Sequence, residues 1–332
     1  PLDRLTALAI ATWNRGYDLT IPPRCSAPIR VQDLTILSQP HEALSVRRTI
    51  DVGAESQAIF SEEMYTTPTT PAGQRLAASF VDIDIGANCQ VAYLGVHAPD
   101  LSTISLYQRH ATVGPAAKVG WVWTGFGGFR TKTRNATDLV GQGANADDLQ
   151  AFFGSGPQAY DSSVNLTHVG TDTHGQSITR GVFRDDSRGM SRGLVRIEKD
   201  ARKTVSYISE HAMLLSRGAR SDTIPILEIL CRDVKATHSS SVAPVDPEKV
   251  FYLESRGLSH DEAVRLIGEG FLSHVMDRSP IAHLREILYP MLEARWENRS
   301  IDWGGSRLPA LPVLTASEAA LAGDWRFDAK LR

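Results

Sequence analysis

Short segments of alternating apolar and polar residues dominate the middle of the chain. Examples are VDIDI at 81–85, LVRI at 194–197 and TVSYIS at 204–209. Because successive side chains of a β-strand point to opposite faces, a period of two predicts strands with one buried face. Almost no helical periodicity occurs between about residues 45 and 245. The pattern therefore predicts a mainly β core.

The same region contains an internal repeat, in which a glycine turn with small and polar residues precedes an apolar or aromatic pair. The instances start at Gly53, Gly86, Gly114, Gly143, Gly170, Asp200 and Gly218. Consecutive starts lie 33, 28, 29, 27, 30 and 18 residues apart. Such periods are typical of stacked supersecondary units that cannot bury a face alone. The repeat predicts a right-handed parallel β-helix-like solenoid with aliphatic side chains stacked inward.

The corners of this solenoid are expected to depend on glycine, which adopts positive φ without a steric penalty. A β-sandwich is the alternative architecture, because antiparallel hairpins also give short strands with glycine turns. The sequence has no Asn-Gly or Asp-Gly pair, the strongest signal of a two-residue hairpin. This absence favours the solenoid.

The C-terminal part of the chain changes to a helical pattern. Asp246 is the predicted N-cap of a first helix, and Ser259 with Glu262 forms a capping box for a second. A third predicted helix, at 281–296, contains Pro290, which is expected to kink or split it. We therefore expect a helical domain after the β core.

The predicted division is an N-terminal helical segment at 1–16, a β-helix core at 17–245, a C-terminal helical domain at 246–299, and a linker and tail at 300–332. Within these segments, a helix is predicted at 3–13, and residues 315–318 are predicted to cap a last short helix. Since stacked repeats are held together by contacts between neighbours, the helical domain is expected to be dispensable for folding of the core.

Composition excludes several classes of protein. The 332 residues are 42% hydrophobic, enough for a sizeable core, and carry a formal net charge of −3. An acidic balance argues against nucleic acid as the main partner. No run approaches the roughly 18 apolar residues of a membrane span, and residues 1–30 lack the layout of a signal peptide. Three cysteines without short spacing fit a reducing cytoplasm.

Motifs for nucleotide binding and hydrolysis are also absent. The sequence contains no GxxxxGK[ST] phosphate-binding loop, no GxSxG, no HExxH and no paired CxxC. Aromatic residues at 121–129 alternate with basic residues at 130–134, which superficially resembles a strip for stacking bases. The solenoid pattern assigns at least half of these aromatic residues to the core, with the basic cluster available to a partner. These absences predict that the chain is not itself an ATPase.

The segment CRDVKATHSSSVAPVDPEKVFYLESRGLSHDEAVRLIGEGF, at 231–271, resembles the C-terminal signature of the SufB/SufD family, scaffold subunits of the SUF iron–sulfur cluster assembly machine. The resemblance continues upstream through ITRGVF at 178–183, SRGLVRI at 191–197 and TIPILEI at 223–229. It is weaker at 47–67. About two thirds of the chain or more is covered.

Within this family the chain is closer to SufD, and the resemblance implies three candidate site residues. The DVKATH segment matches a SufD-like motif whose histidine, here His238, faces the SufB–SufD interface and could ligate iron or a transient iron–sulfur cluster. Glu210 stands where SufB-type chains carry a sulfur-accepting cysteine, and Ser239 replaces the SufB glutamate. Glu210 and His211 are auxiliary ligand candidates or, on the simpler interpretation, solvated strand residues. Cys231 is predicted to be a core residue.

The implied partners are a SufC-like ABC ATPase, bound through the C-terminal helices, and a SufB-like or identical chain, bound through the β-helix. Two alternatives stay open. One is a β-helix enzyme acting on polysaccharide, which needs clustered charges on one solenoid face and usually a secretion signal. The other is a SufB/SufD-like homodimer without a cluster role.

Overall fold

The chain is represented by a computed structural model. It describes residues 7, 10–25, 27–67, 73–279, 284–297 and 299. Most of the predicted N-terminal helix, the start of the third predicted helix and the segment at 300–332 lie outside these residues.

Sixteen β-strands form the core. Their bounds are β1 Arg15–Ile21, β2 Ile29–Leu37, β3 Ala43–Val52, β4 Gln57–Thr66, β5 Arg75–Ile85, β6 Gln90–His97, β7 Thr103–Val113, β8 Lys118–Gly125, β9 Arg130–Leu139, β10 Asn145–Gly154, β11 Ala159–His168, β12 His174–Phe183, β13 Arg188–Ile197, β14 Thr204–Leu214, β15 Arg220–Ile229 and β16 Val234–Pro244. The odd-numbered strands form one eight-stranded sheet, here called sheet A, and the even-numbered strands form sheet B.

Every strand pairs in parallel with the strand two places along the chain, so each turn of the chain adds one strand to each sheet. Asn145 in β10 pairs with His174 in β12, for example, which makes that turn 29 residues long. The predicted parallel solenoid is confirmed, and the wholly parallel pairing excludes the β-sandwich. Right-handed coiling stays a prediction.

The last repeat instance lies on the other side of the solenoid from the first six. The first six instances precede strands of sheet B, whereas Gly218 precedes β15 of sheet A. Its 18-residue spacing is therefore a half turn, since a whole turn would lead to β16. Both corners of the coil use small and polar residues, so the repeat pattern can occur at either corner.

The glycine corners also differ from the prediction. Of the repeat glycines only Gly143 has a positive φ, of 71°. After Gly53, Gly86, Gly114 and Gly170 the positive φ instead falls on the residue two positions later, such as Glu55 or Asn88. Gly53 is needed for a different reason, because a Cβ there would lie 2.4 Å from the backbone nitrogen of Pro23 on the adjacent turn. These glycines permit close stacking of the turns.

Three helices follow the strands: α1 Pro247–Glu254, α2 His260–Met276 and α3 Leu284–Trp296. Asp246 caps α1 by accepting a hydrogen bond from the Glu248 amide, and the capping box of α2 is present, as predicted. Pro290 lies inside α3 without dividing it. None of these helices, in the part of the chain that the structure covers, is long and apolar enough to span a membrane.

The helices cover the outer face of sheet B. One apolar cluster joins strand residues such as Leu94, Phe153 and Ile178 to Leu272 of α2 and Leu292 of α3, all of them at most 1% exposed. The expectation that the helices are dispensable for folding does not fit this packing, because removing them would expose the apolar side chains of sheet B in this cluster to water.

Two arginines fasten the end of α3 to the solenoid. Arg184 donates hydrogen bonds to the backbone carbonyls of Arg295 and Trp296, at 2.9 and 3.0 Å. Arg295 in turn donates to Ser155 and Gln158. The last carbonyls of a helix have no partner within the helix, and a cation is favourable at that end. The helices and the solenoid thus share one core and one polar anchor.

An ionic clamp crosses three strands on the outer face of sheet A. His110 of β7 bonds Asp82 of β5 at 2.7 Å and Asp138 of β9 at 3.1 Å, through its two ring nitrogens. These hydrogen bonds raise the pKa of His110 to about 10. The imidazole therefore stays protonated across the physiological range.

This clamp gives a titration prediction. Because the folded pKa of His110 is raised, its stabilisation is complete below the ordinary pKa of about 6.5 and is lost as the pH rises towards 10. His110, Asp82 and Asp138 are all partly exposed, so the clamp contributes at most about 1 kcal/mol to the free energy of unfolding. By NMR, the His110 ring should not titrate between pH 6 and 8. In an Asp82→Asn/Asp138→Asn variant it should, and a wild-type ring that titrates near 6.5 would contradict the clamp.

Candidate functional site

His238 lies at the open C-terminal end of the solenoid. It belongs to β16, the last strand of sheet B, and its register partner in β14 is the buried core residue Ile208. Paired residues of a parallel ladder point to the same face, so His238 continues the interior stack beyond Ile208. Its side chain is exposed because β16 is the edge strand. An imidazole is therefore presented on the end face of the coil.

Glu210 also belongs to the interior stack, and its prediction as a solvated residue is wrong. It is 1% exposed, and the Ser191 hydroxyl of sheet A donates a hydrogen bond to its Oε1. Its Oε2 has no hydrogen-bond partner among the described residues. Burial raises the pKa of this carboxyl. Glu210 is thus a buried acid one strand behind the end face, where its register partner is Ser240.

His211 points to the opposite face of β14 from Glu210, because neighbouring strand residues alternate. Its Nδ1 lies 2.5 Å from the Ser241 hydroxyl and its Nε2 lies 3.1 Å from the Ser239 hydroxyl. Burial, with smaller effects of Arg180 and His274, lowers the pKa of His211 to about 4. Both ring nitrogens are engaged, so the structure does not bring His211 together with Glu210 as a ligand pair.

His238 and Glu210 share the interior face but are offset by two residues along their strands. That offset places their Cα atoms about 8 Å apart, from the spacing of adjacent strands and the rise per residue. Within the described part of the chain, no three His, Cys, Asp or Glu side chains are grouped as a metal-ion site would require. Cys231 is 9% exposed and lies in the core, as predicted.

A small cavity of about 20 Å³ lies inside the solenoid next to this end. Thr179 and Ser191 contribute polar atoms to its wall, and the Phe183 ring fills space that Gly181 and Gly189 leave free. A Cβ on Gly189 would lie 2.3 Å from that ring. The cavity can hold about one water molecule, for which the required volume is about 10–15 Å³. The interior near this end is therefore narrow and mostly apolar, with a few hydroxyl groups in its wall.

The end face has free strand edges and carries several exposed apolar side chains among polar ones. β15 and β16 are the last strands of their sheets, so one edge of each has no neighbouring strand in the described chain. Around them the following side chains are 38–48% exposed: Ile224, Ile226, Ile229, Leu230 and Val242. A long apolar edge is a template for pairing with another chain.

The helices present a second apolar surface. Phe251 and Tyr252 of α1 are 71% and 56% exposed, and Leu266 of α2 is 50% exposed. Large exposed side chains in such a group are typical of a protein interaction site. This surface and the end face are the two exposed regions richest in large apolar side chains among the described residues.

A buried ionic cluster in the N-terminal half was missed by the sequence analysis. Glu62 of β4 accepts hydrogen bonds from Arg48 and Arg109 at 3.2 Å and from Tyr93 at 3.1 Å. His97 lies 3.7 Å away and, because burial lowers its pKa to about 4, is neutral. The signal for this cluster was a glutamate at an inward position between Phe60 and Met64.

Burial alone would raise the pKa of Glu62, but the guanidinium groups of Arg48 and Arg109 outweigh it and lower the pKa well below its usual range. Arg48 also bonds Asp33 at 2.6 Å. Two arginines are thus balanced by two carboxylates inside the solenoid. The cluster lies in β2–β7, far along the coil from His238, and stabilises the fold without joining the end-face site.

Trp121, Trp123 and Phe126 are at most 2% exposed and belong to the core, which confirms that they pack rather than stack on bases.

Comparison with known proteins supports the resemblance seen in the sequence. The family model described as SUF system FeS cluster assembly, SufBD core domain, matches residues 35–271. The iron–sulfur cluster assembly protein SufD of Bacillus subtilis is 29% identical over 88% of this chain and 67% of that protein. A SufBD family protein of Mycobacterium leprae is 27% identical over 64% of this chain and 24% of its own length. A SufBD family protein of Staphylococcus saprophyticus is 23% identical over 86% of this chain and 61% of its own length. The chain thus spans only part of each relative.

Proposed function

The chain belongs to the SufBD family of SUF iron–sulfur cluster assembly proteins, and we propose that it acts there as a SufD-like scaffold subunit. Family membership favours this role over the polysaccharide-active enzyme. The observation that carries the proposal is the end face, where His238 is exposed beside the free edges of β15 and β16 and apolar side chains such as Ile229 and Val242. A scaffold needs such a surface, since a second chain must meet it there.

The proposed partner at the end face is a SufB-like chain or a second copy of this chain. Strand addition at β15 and β16 would satisfy their free backbone groups and bury Ile224 and Ile226. His238 would then lie in the interface. One imidazole cannot hold iron alone, so the partner is proposed to supply further ligands to a nascent cluster, the cargo of the complex.

The proposed partner at the helices is a SufC-like ABC ATPase. Phe251 and Tyr252 offer the aromatic anchors that dominate many protein interfaces. The Arg184 contacts and the shared apolar cluster join these helices rigidly to sheet B. The role of the chain would be structural, with nucleotide hydrolysis left to the ATPase.

Anaerobic co-purification with SufB-like and SufC-like partners tests these assignments. His238→Ala should leave both partners bound but lower the iron and sulfide per complex several-fold, because a metal site depends on each ligand. His260→Ala, an exposed histidine of α2 far from the end face, is the matched control and should leave the iron and sulfide per complex unchanged. Unchanged iron and sulfide in the His238 variant would remove its ligand role.

Two further variants locate the partners in the same experiment. Ile226→Asp should lose the scaffold partner, whereas Val169→Asp, of nearly equal exposure at a corner two turns back along the coil, should retain it. Phe251→Ala should weaken only the ATPase. A chain that forms a stable homodimer through the end face and carries no cluster would favour the homodimer alternative.

A further inference from the structure

The centre of β16 has no apolar anchor in the solenoid. Its inward positions there are His238 and Ser240, both exposed, whereas Ala236 before them is partly buried against the core. An edge strand is normally held by its ladder hydrogen bonds and by inward apolar side chains. Only the ladder remains at this point, so β16 would be weakly held near the candidate site.

His211 holds this part of β16 from the outer face. The ring lies in β14 and reaches the hydroxyls of Ser239 and Ser241, at 3.1 and 2.5 Å. These two serines flank Ser240 and are on the same face, because alternate strand residues share a face. The imidazole therefore bridges the edge strand at two points, directly behind the segment that carries His238.

The surroundings of His211 favour the neutral ring. Arg180 is its register partner on β12 and stacks on Phe271 of α2, at 5.0 Å from the ring centroid. His274 of α2 is a second basic group near His211, and like Arg180 it disfavours a positive charge on the ring. A neutral imidazole has one donor and one acceptor nitrogen, so one serine hydroxyl accepts from the ring and the other donates to it.

We propose that His211 is a positioning residue: by bridging Ser239 and Ser241 it fixes the register of β16 and so keeps His238 on the interior side of the end face. The link to cluster assembly rests on the proposed function, whereas the bridge itself does not. A slip of one residue would move every side chain of β16 to the opposite face and turn His238 outward. The contacts of His211 with the Ser239 and Ser241 hydroxyls would oppose that slip, because no apolar side chain anchors this part of β16.

Hydrogen exchange of the whole chain tests the bridge without partners. His211→Leu should speed exchange of the β16 amides about tenfold, since two hydrogen bonds are lost, and leave β8 and β10 unchanged. Ser239→Ala/Ser241→Ala should have the same effect. The triple variant should be no faster than either, because all three residues form one interaction. His211→Gln, which keeps a donor and an acceptor, should restore much of the protection.

The controls and the contrary outcomes are distinct. His260→Leu should leave β16 exchange unchanged. Additive effects in the triple variant, or a rise in exchange spread over all strands, would show that His211 only packs and would overturn the proposal. Loss of β16 protection together with unchanged cluster content in His238→Ala would instead support the bridge and count against the proposed ligand role.

Discussion

A chain that ends at Val245 is expected to aggregate rather than to give a soluble solenoid. The truncation removes α1–α3 and with them the apolar cover of sheet B, including Leu272, Leu288 and Leu292. The uncovered sheet face is contiguous and apolar, which is typical of an aggregation site. Size-exclusion chromatography and circular dichroism of the truncated and full chains measure the effect. A soluble, monomeric truncated chain with a cooperative unfolding transition would contradict it.

A matched pair of substitutions in α2 gives the same test without truncation. Leu272 is 0% exposed against sheet B, whereas Leu266 in the same helix is 50% exposed. Leu272→Asp should cost at least about 3 kcal/mol of unfolding free energy, from lost packing and a buried carboxylate. Leu266→Asp should change stability by less than about 0.5 kcal/mol. Equal effects of the two substitutions would mean that the helices do not share the core of the solenoid.

Burial of the outer face of sheet B was predictable from the composition of its strands. Segments such as VAYLGV at 91–96 are apolar at successive positions rather than alternating. Strands buried on both faces have this composition, because both faces must avoid water. The alternating strands of sheet A, such as VDIDI at 81–85, have one solvated face instead. The sequence therefore indicates that sheet B is buried on both faces and sheet A on one face only. The repeat alone does not show which segment covers the outer face of sheet B.

The orientation of Glu210 could not be decided from its neighbours. In TVSYISEHAM, at 204–213, Ile208 points inward while Val205 and Tyr207 point outward, so apolar residues occur on both faces. Alternation then gives no preference for the acid. The resemblance to a known family identified the position as a candidate, and only the register with Ser191 and Ser240 shows that it is buried. Partial cover of the outer face by α2 is the physical reason for the ambiguity.

Replacing Glu62 should destabilise the protein more than any other single polar substitution considered above. Glu62→Gln leaves the guanidinium groups of Arg48 and Arg109 buried without their shared carboxylate. Breaking a buried ion pair from one side costs about 3–5 kcal/mol, because the desolvated charge that remains is not compensated. The adjacent Glu63→Gln is the matched control. It is equally buried but on the other face, where Gln32, Ser61 and Tyr65 bind it without a cation.

The two glutamates should also differ in their response to acid. The folded pKa of Glu62 lies below its ordinary value of 4.5, so its stabilisation is present above that pH and is lost as the pH falls through the folded pKa. Burial raises the pKa of Glu63, and its partners Gln32, Ser61 and Tyr65 are neutral, so no buried cation is left unpaired when Glu63 is replaced by an amide. Urea unfolding at pH 7 and at pH 4 measures both effects. Glu62→Gln should lose stability at pH 7. Between pH 7 and pH 4 it should then lose less further stability than the wild type, since its carboxylate is already gone. Similar losses for the two variants at pH 7 would mean that the arginines find other partners and that the cluster does not depend on Glu62.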